Sequence, residues 1–205
     1  VKITGNRADK VSYTHRGGPR TVQVRREIIL SGGAINSPQI LLRSGIGPEE
    51  HLQDAGIKTQ VKLAGVGRNL QDHPTMVLQF KSRKSFEMHR LNNPLKKFGV
   101  GLEWLSRCKG IATSHIWEAG GLVRSHDNAA RPDLQYHFGP TGFEKVGNSF
   151  RVTQGFSFHI DLLYPESAGR VELDPKNHFG KPMILFNYMA AAADMTGMIL
   201  SLIHI

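Results

Sequence analysis

A serine, a histidine and an aspartate lie two residues apart in one apolar segment, at Ser157, His159 and Asp161. These are the residue types of a hydrolytic triad. They alternate with apolar residues, so on a strand they share one face with Cα atoms ~6.5–7 Å apart. A triad needs side-chain atoms within ~3 Å and usually takes them from separate loops. We therefore interpret the three residues as the polar face of a strand.

Other reactive side chains give no pattern of a metal site or a nucleophile. His73 and His137 belong to no spaced group of His, Cys and Asp residues, and we expect a hydrogen bond at a domain junction and a strand-surface residue. The single cysteine, Cys108, excludes an internal disulfide framework. It is interpreted as a structural or surface thiol near a helix end. A single cysteine suits a reducing compartment, so we expect a cytoplasmic protein, with membrane association as an alternative.

Residues 27–47 contain the most informative candidate for a ligand site. The apolar run Ile28–Leu30 predicts a short strand that is covered on both faces. Gly32, Gly33 and Ala34 follow it directly and leave room for a ligand to approach the backbone. The arrangement predicts a ligand-binding corner between a strand and a helix.

The helix after this corner has its own start and stop signals. Ser37 fits the N-cap, Pro38 the first helical position, and Gly45 the left-handed residue that ends the helix. A second short helix is predicted to begin at Pro48 and to end at Gly56.

Charge and composition describe an ordinary globular chain with an excess of basic residues. The 205 residues are 40% hydrophobic and carry a formal net charge of +9. The basic residues are scattered and accompany no nucleic-acid-binding motif, so we expect no nucleic-acid partner. A solvated surface is the simplest interpretation, and weak attraction to an acidic membrane or partner is the alternative. No apolar run approaches the ~20 residues of a membrane span.

The chain has two predicted regions. Alternating residues before position 25 predict an antiparallel ribbon that turns at Gly17. We place a boundary near Pro74. Beyond it, Leu95, Phe98, Leu102 and Leu105 line one face of a helix that begins at Pro94 and ends at Gly110.

Short strands dominate the rest of the second region. The predicted fold is mixed, α+β with α/β character, and ends in an antiparallel sheet with helices on one side. The predicted strands are Gly121–Arg124, Leu134–Phe138, Gly155–Leu163, Gly169–Leu173 and Met183–Phe186.

Several of these segments resemble one known family. Residues 33–47, GAINSPQILLRSGIG, closely resemble the second signature of the glucose-methanol-choline (GMC) FAD-dependent oxidoreductases. Residues 65–74, GVGRNLQDHP, resemble the family segment at the junction of its two domains. Residues 101–105, 117–125 and 135–138 resemble the branch that contains the choline dehydrogenases. The resemblance covers roughly residues 1–189.

The resemblance implies a division of the chain into regions. Residues 1–74 correspond to the C-terminal part of the FAD-binding region, and residues 75–205 to the substrate-binding region. Within the latter, residues 169–189 resemble the start of the family's C-terminal region, and the tail 190–205 is unassigned. We expect an internal piece of a longer enzyme, with a G-x-G-x-x-G turn before Val1 and the catalytic histidine beyond Ile205.

The resemblance also implies a set of cofactor-contacting residues. Two groups are placed near FAD or at the domain junction: Gly32, Gly33, Ala34, Asn36 and Ser37, and then Asn69, Asp72 and His73. The alternative is that these glycines and caps only build the corner.

Glu118 and Trp117 are the substrate-binding residues that the resemblance implies. In choline-oxidising relatives, a glutamate after an aromatic residue contacts the trimethylammonium group. A quaternary ammonium has no N–H to donate, so a carboxylate and aromatic faces must recognise it. His115 stands where relatives commonly carry asparagine. The alternative is a strand-edge glutamate that pairs with a basic residue.

The implied activity is oxidation of a primary alcohol, choline to betaine aldehyde, with hydride transfer to FAD and electrons passed to a quinone or other acceptor. Three alternatives stay open. One is a GMC oxidoreductase for polyethylene glycol, a sugar or an aliphatic alcohol. The others are a basic, non-enzymatic binding module and a non-redox lyase on the same scaffold.

Overall fold

The computed structural model of the chain describes residues 1–84 and 86–203. The helices are α1 (Gly33–Arg43), α2 (Glu49–Asp54), α3 (Pro94–Arg107) and α4 (Ala192–Ile203). The strands are β1 (Lys2–Thr4), β2 (Arg7–His15), β3 (Gly18–Gln23), β4 (Ile46–Gly47), β5 (Val61–Lys62), β6 (Arg68–Leu70), β7 (Thr75–Lys81), β8 (Ala119–Val123), β9 (Leu134–Gly139), β10 (Gly142–Val146), β11 (Ser149–Thr153), β12 (Gly155–Leu162), β13 (Gly169–Glu172) and β14 (Met183–Leu185). Short 3-10 helices span Glu87–Asn92 and Ile111–Thr113.

The chain divides into two compact units. The first contains residues 1–72 and 167–190, and the second contains residues 73–166 and the segment from Ala191. The sequence predicts that residues 169–189 belong with the second region. In the structure they pack with the first, because β13 pairs with both β6 and β14.

The first unit begins with the predicted antiparallel ribbon, β1–β2–β3. Arg16 and Gly17 both have positive φ and join β2 to β3 in a tight turn. Such two-residue turns match the twist of paired strands, which explains the continuous register of this hairpin.

The corner at residues 27–47 differs from the prediction at its entrance. Ile28–Leu30 form no strand, and Ile29 is 78% exposed. No described strand pairs with this segment, and Ile28 and Leu30 are only half-buried, so the segment lacks the cover that a buried strand needs. Helix α1 begins at Gly33, before the predicted cap at Ser37, and Pro38 therefore lies inside the helix instead of at its first position.

The end of α1 and the core below it agree with the prediction. Gly45 is left-handed, at φ +75°, and a Cβ there would lie 2.4 Å from the Lys58 carbonyl oxygen. The core of this unit is a cluster of buried apolar side chains: Leu42, Leu52, Ala55, Val66 and Leu173. It anchors α1 and α2 and thereby the residues that follow Gly32.

The second unit is built on the four-stranded antiparallel sheet β7–β12–β9–β8. One face is apolar: it carries Ile160 and contacts α4, where the Tyr136 hydroxyl donates to the Ser201 carbonyl at 2.6 Å. Helix α4 therefore gives the unassigned tail a structural role. The mixed fold with an antiparallel sheet is confirmed.

The opposite face of this sheet is polar, as the alternation predicted. His159 of β12 pairs in register with His137 of β9, and Asp161 pairs with Thr75 of β7. Ser157 lies on the same face and is fully buried. The register explains why these polar side chains lie side by side.

Candidate functional site

The corner helix and the glycine-rich loop before β6 enclose a cavity of about 500 Å³ in the first unit. Most of its walls are small side chains and backbone. The lining residues are Gly33, Ala34, Ser37, Pro38, Gly65, Gly67, Arg68, Asn69, Leu70, Gln71 and Val171.

Backbone geometry sets the shape of this cavity. Gly67 has φ +75° and lies against β13, where its carbonyl accepts from the Val171 N–H at 2.7 Å. A Cβ on Gly67 would lie 2.2 Å from the Val171 carbonyl oxygen. Gly33 also has φ +75°, but a Cβ there would meet no protein atom within 4 Å. Gly67 therefore serves packing, while the open side of Gly33 leaves space for a ligand.

The cavity brings together half of the residues expected near the cofactor. Gly33, Ala34, Ser37 and Asn69 line it, and Asn69 has a left-handed backbone. The sequence did not single out Arg68, which also lines it and forms an ion pair with Glu172 at 3.1 Å.

The other expected residues have different surroundings. The Gly32 N–H donates to Ser37 Oγ, and Asn36 Oδ1 accepts from Gln39, so both support the start of α1. Asp72 accepts a hydrogen bond of 2.8 Å from the Tyr188 hydroxyl. Burial and then this bond raise the pKa of Tyr188. His73 begins the second unit.

Glu118 lines a cavity of about 300 Å³ in the second unit. Its described lining is otherwise uncharged and consists of Phe86, Met88, Gly110, Ile111, Ser114 and Pro140. The Glu118 N–H donates to the Phe138 carbonyl and so fixes the residue at the start of β8. Among the described residues, no ion pair or hydrogen bond occupies its carboxylate. Glu118 is exposed to solvent at the edge of this cavity, so its carboxylate is accessible to a cationic ligand.

Trp117 lies among different neighbours from Glu118. Its ring packs edge-on against His159, with centroids 4.4 Å apart, and tilts over His137 at 5.6 Å. It does not line the cavity that contains Glu118. Phe86, unlike Trp117, lines the cavity that contains Glu118.

The polar sheet face under Trp117 holds a network of titratable groups. His137 Nε2 lies 3.2 Å from Asp161, which also accepts a hydrogen bond from the Thr75 hydroxyl. His159 Nε2 and Ser157 Oγ are buried and have no hydrogen-bond partner among the described residues. Burial lowers the pKa of His159; the Asp161 carboxylate opposes this shift and His137 adds to it.

A second serine–histidine–aspartate group, which sequence reasoning missed, lies near α4. The Ser125 hydroxyl donates to Asp133 at 2.6 Å, and His126 Nδ1 lies 2.8 Å from the same hydroxyl oxygen. In a catalytic triad the serine hydroxyl donates to the histidine and the histidine donates to the aspartate. Here the serine donates directly to the aspartate, so the arrangement is not that of a triad. The Ser125 N–H also donates to Asp133, so this group closes a turn.

Neither a metal centre nor a membrane span is found in the part of the chain that the structure describes. Within residues 1–84 and 86–203, no group of three His, Cys, Asp or Glu side chains is placed to hold a metal ion. In the same residues, no helix has the length and apolar character to cross a bilayer.

Comparison with known proteins decides the family. Residues 1–75 match the model of the GMC oxidoreductase family, and two relatives align with 95% of the chain. The chain belongs to the GMC oxidoreductases. This confirms the resemblance drawn from the corner helix and the segments that follow it.

The relatives of this GMC chain are longer proteins. It is 40% identical to the oxygen-dependent choline dehydrogenase of Chromohalobacter salexigens and 42% identical to that of Pectobacterium carotovorum. Each alignment covers 95% of the chain and 35% of the relative. The chain therefore spans about a third of the length of the curated relatives that it matches.

A solved structure supports the fold. An FAD-dependent oxidoreductase from Chaetomium thermophilum superposes with a TM-score of 0.79 at 21% identity. The match covers 98% of this chain and 42% of that one. At this identity the likeness shows the architecture alone.

Proposed function

We propose that this chain supplies cofactor contacts and the substrate-recognition pocket of an FAD-dependent alcohol dehydrogenase that oxidises choline to betaine aldehyde. The observation that carries the proposal is the unpaired carboxylate of Glu118 in a cavity that also contains Phe86 and Met88. The names of the relatives, oxygen-dependent choline dehydrogenases, support the same substrate.

The cavity at the corner helix fits part of an FAD molecule. A flat cofactor needs close access to backbone, and Gly33 and Ala34 present small or absent side chains there. Ser37 and Asn69 add polar groups, so these four residues would hold the cofactor. When bound, FAD supplies the hydride acceptor.

The Glu118 cavity fits a small quaternary ammonium alcohol. The trimethylammonium group offers charge and methyl groups but no hydrogen-bond donor, so it favours a carboxylate, an aromatic face and an apolar wall. Glu118 supplies the charge, Phe86 the aromatic ring, and buried Met88 the apolar wall. A ring contact contributes about 0.5–2 kcal/mol, enough to orient the alcohol.

The roles given to this chain are binding and orientation. If Glu118 binds the ammonium group, the hydroxyl group of choline points away from Glu118. We assign none of the residues of this cavity as the acceptor of the hydroxyl proton. The electron acceptor is proposed to be a quinone or another oxidant, and contact with a membrane is part of the proposal. No nucleic-acid partner is proposed.

The test is Glu118→Gln in the full-length enzyme. Because it removes the charge and keeps the shape, we expect KM for choline to rise by about tenfold or more, equivalent to ~1.4 kcal/mol. An uncharged analogue of the same shape, 3,3-dimethylbutanol, should change much less. Glu144→Gln is the matched control, since Glu144 pairs on the surface with Arg151 at 2.6 Å; it should alter neither alcohol.

Each other outcome points to one of the alternatives. Equal losses for both alcohols would make Glu118 a structural residue. Reduction of the flavin by a sugar or polyethylene glycol but not by choline would favour another GMC substrate. A protein that binds FAD yet is reduced by no alcohol would favour the lyase, and one that binds no flavin would favour the binding module.

A further inference from the structure

A hydrogen bond joins Tyr188 to Asp72 across 116 positions of the sequence. The Tyr188 hydroxyl donates to Asp72 Oδ2 at 2.8 Å, and both residues belong to the first unit. Burial, and then the hydrogen bond and charge of Asp72, raise the pKa of the Tyr188 phenol. The phenol therefore stays protonated at neutral pH and acts as the donor. A hydrogen bond to a carboxylate is stronger than one between two neutral groups.

The backbone around Tyr188 has an uncommon conformation. Asn187, at φ +60°, and Met189, at φ +58°, are both left-handed, and Tyr188 lies between them. Such residues persist only where the surrounding structure holds them in place. The Tyr188 ring also stacks on Phe186, with centroids 5.1 Å apart and ring planes at 2°. The side chain is thus oriented in advance, so little rotational freedom is lost when its hydroxyl donates.

Asp72 directly follows a segment that lines the corner cavity. Asn69, Leu70 and Gln71 form part of the cavity wall, and Asp72 does not line it. Leu70 is paired with Gly169 of β13, which holds the wall segment before Gln71. The hydrogen bond from Tyr188 holds the same segment after Gln71.

The loop that contains Tyr188 is attached to the same part of β13. Asn187 Nδ2 donates to the Ala168 carbonyl at 3.2 Å. Ala168 immediately precedes Gly169, the residue that pairs with Leu70. The loop, β13 and the wall segment are therefore connected, and a change at Tyr188 acts on the cavity wall.

We propose that Tyr188 is a positioning residue for the flavin, which holds Asn69–Gln71 in the cofactor-binding conformation through its hydrogen bond to Asp72. The inference rests on the proposed function, in which FAD occupies the corner cavity. Neither Tyr188 nor Asp72 lines that cavity, so both act through the wall segment and not by contact with the cofactor. The left-handed backbone of Asn69 needs support from its surroundings, and this bond supplies part of it.

The test is Tyr188→Phe in the full-length enzyme, which removes the hydroxyl and keeps a ring that can stack on Phe186. FAD is removed and titrated back, and quenching of flavin fluorescence measures binding. We expect the dissociation constant for FAD to rise by about two- to tenfold, as for the loss of one hydrogen bond. The visible circular dichroism of the bound flavin should also change, because the polar groups of the cavity wall shift.

Tyr13→Phe is the matched control. Tyr13 lies on β2 in the same unit and is 48% exposed, against 45% for Tyr188. It does not line the corner cavity. Its FAD affinity and flavin circular dichroism should equal those of the unmodified enzyme. Similar changes in both tyrosine variants would overturn the proposal.

A double-mutant cycle tests whether Tyr188 acts through Asp72. Asp72→Ala should weaken FAD binding, and adding Tyr188→Phe to it should have little further effect, since the acceptor is already gone. Additive losses would overturn the proposal, because Tyr188 would then act by another route.

Two remaining outcomes separate this inference from a purely structural contact and from the proposed function. If Tyr188→Phe lowered the melting temperature of the flavin-free protein but left FAD affinity and circular dichroism unchanged, the bond would be structural and the inference alone would fail. If the unmodified full-length protein bound no FAD, the proposed function would fail together with the inference.

Discussion

The indole of Trp117 stands edge-on against the imidazole of His159, with ring centroids 4.4 Å apart and ring planes at 70°. This contact covers one side of an imidazole whose Nε2 atom is already buried without a partner among the described residues. Removal from water disfavours the imidazolium, so the pKa of His159 is lowered. Asp161 limits the shift but does not reverse its direction.

The first prediction is a pH-dependent loss of stability at His159. Its pKa is lower in the folded state than in the unfolded chain, where it is about 6.5. The unfolded chain therefore binds the proton first as the pH falls. The stability from the neutral imidazole is complete above about pH 6.5 and is lost as the pH falls towards the folded pKa.

The measurement is the melting temperature between about pH 7.5 and pH 5. The protein with His159 should lose more stability over this range than His159→Gln, which cannot titrate. His15→Gln, at the exposed end of β2, is the control and should keep the original profile. Parallel profiles for the His159 variant and the unmodified protein would contradict the prediction.

The second prediction concerns the open side of Gly33. In the full-length enzyme, Gly33→Val should reduce FAD occupancy, because the branched side chain would enter the cavity where no protein atom lies within 4 Å of the Cβ position. The visible absorbance of the purified enzyme reports flavin content per protein. We expect it to fall severalfold.

Gly56 provides the matched control for backbone strain. It has φ +67°, close to the +75° of Gly33, and a Cβ there also meets nothing within 4 Å. It lies outside the corner cavity. Gly56→Val should therefore cost similar conformational strain, of order 1–3 kcal/mol, and leave flavin content unchanged. Equal flavin loss in both variants would mean that strain alone causes the effect.

Local patterns were sufficient to predict much of the fold. The ribbon of β1–β3, the strands β9 and β12, and helix α3 follow from alternation, helical spacing and turn residues that act within a few positions of one another. The polar face with Ser157, His159 and Asp161 was predictable for the same reason, since its period of two is fixed by the strand itself.

Features that depend on distant partners were not predictable in this way. Ile28–Leu30 form no strand because their state depends on neighbours for pairing, not on their own hydrophobicity. The pairing of β13 with β6 joins residues that are about 100 positions apart in the sequence. Trp117 and Glu118 are predicted to act as a pair, but Trp117 packs on His159 while Glu118 lines a separate cavity. The adjacent side chains then reach different surroundings.

The last prediction distinguishes the two aromatic residues beside Glu118. If the ammonium binds in the Glu118 cavity, Phe86→Leu should raise KM for choline by about 2–30-fold, the equivalent of ~0.5–2 kcal/mol for one cation–π contact. 3,3-Dimethylbutanol should be affected less, because leucine preserves an apolar wall and the uncharged analogue has no cation–π term. Trp117→Leu should show no such difference between the two alcohols, since Trp117 packs on His159 and His137 and does not line this cavity. The readout is the ratio of KM values for the two alcohols in each variant at one flavin content. If Trp117→Leu changed this ratio of KM values more than Phe86→Leu did, the ammonium would bind at the polar sheet face and not in the Glu118 cavity.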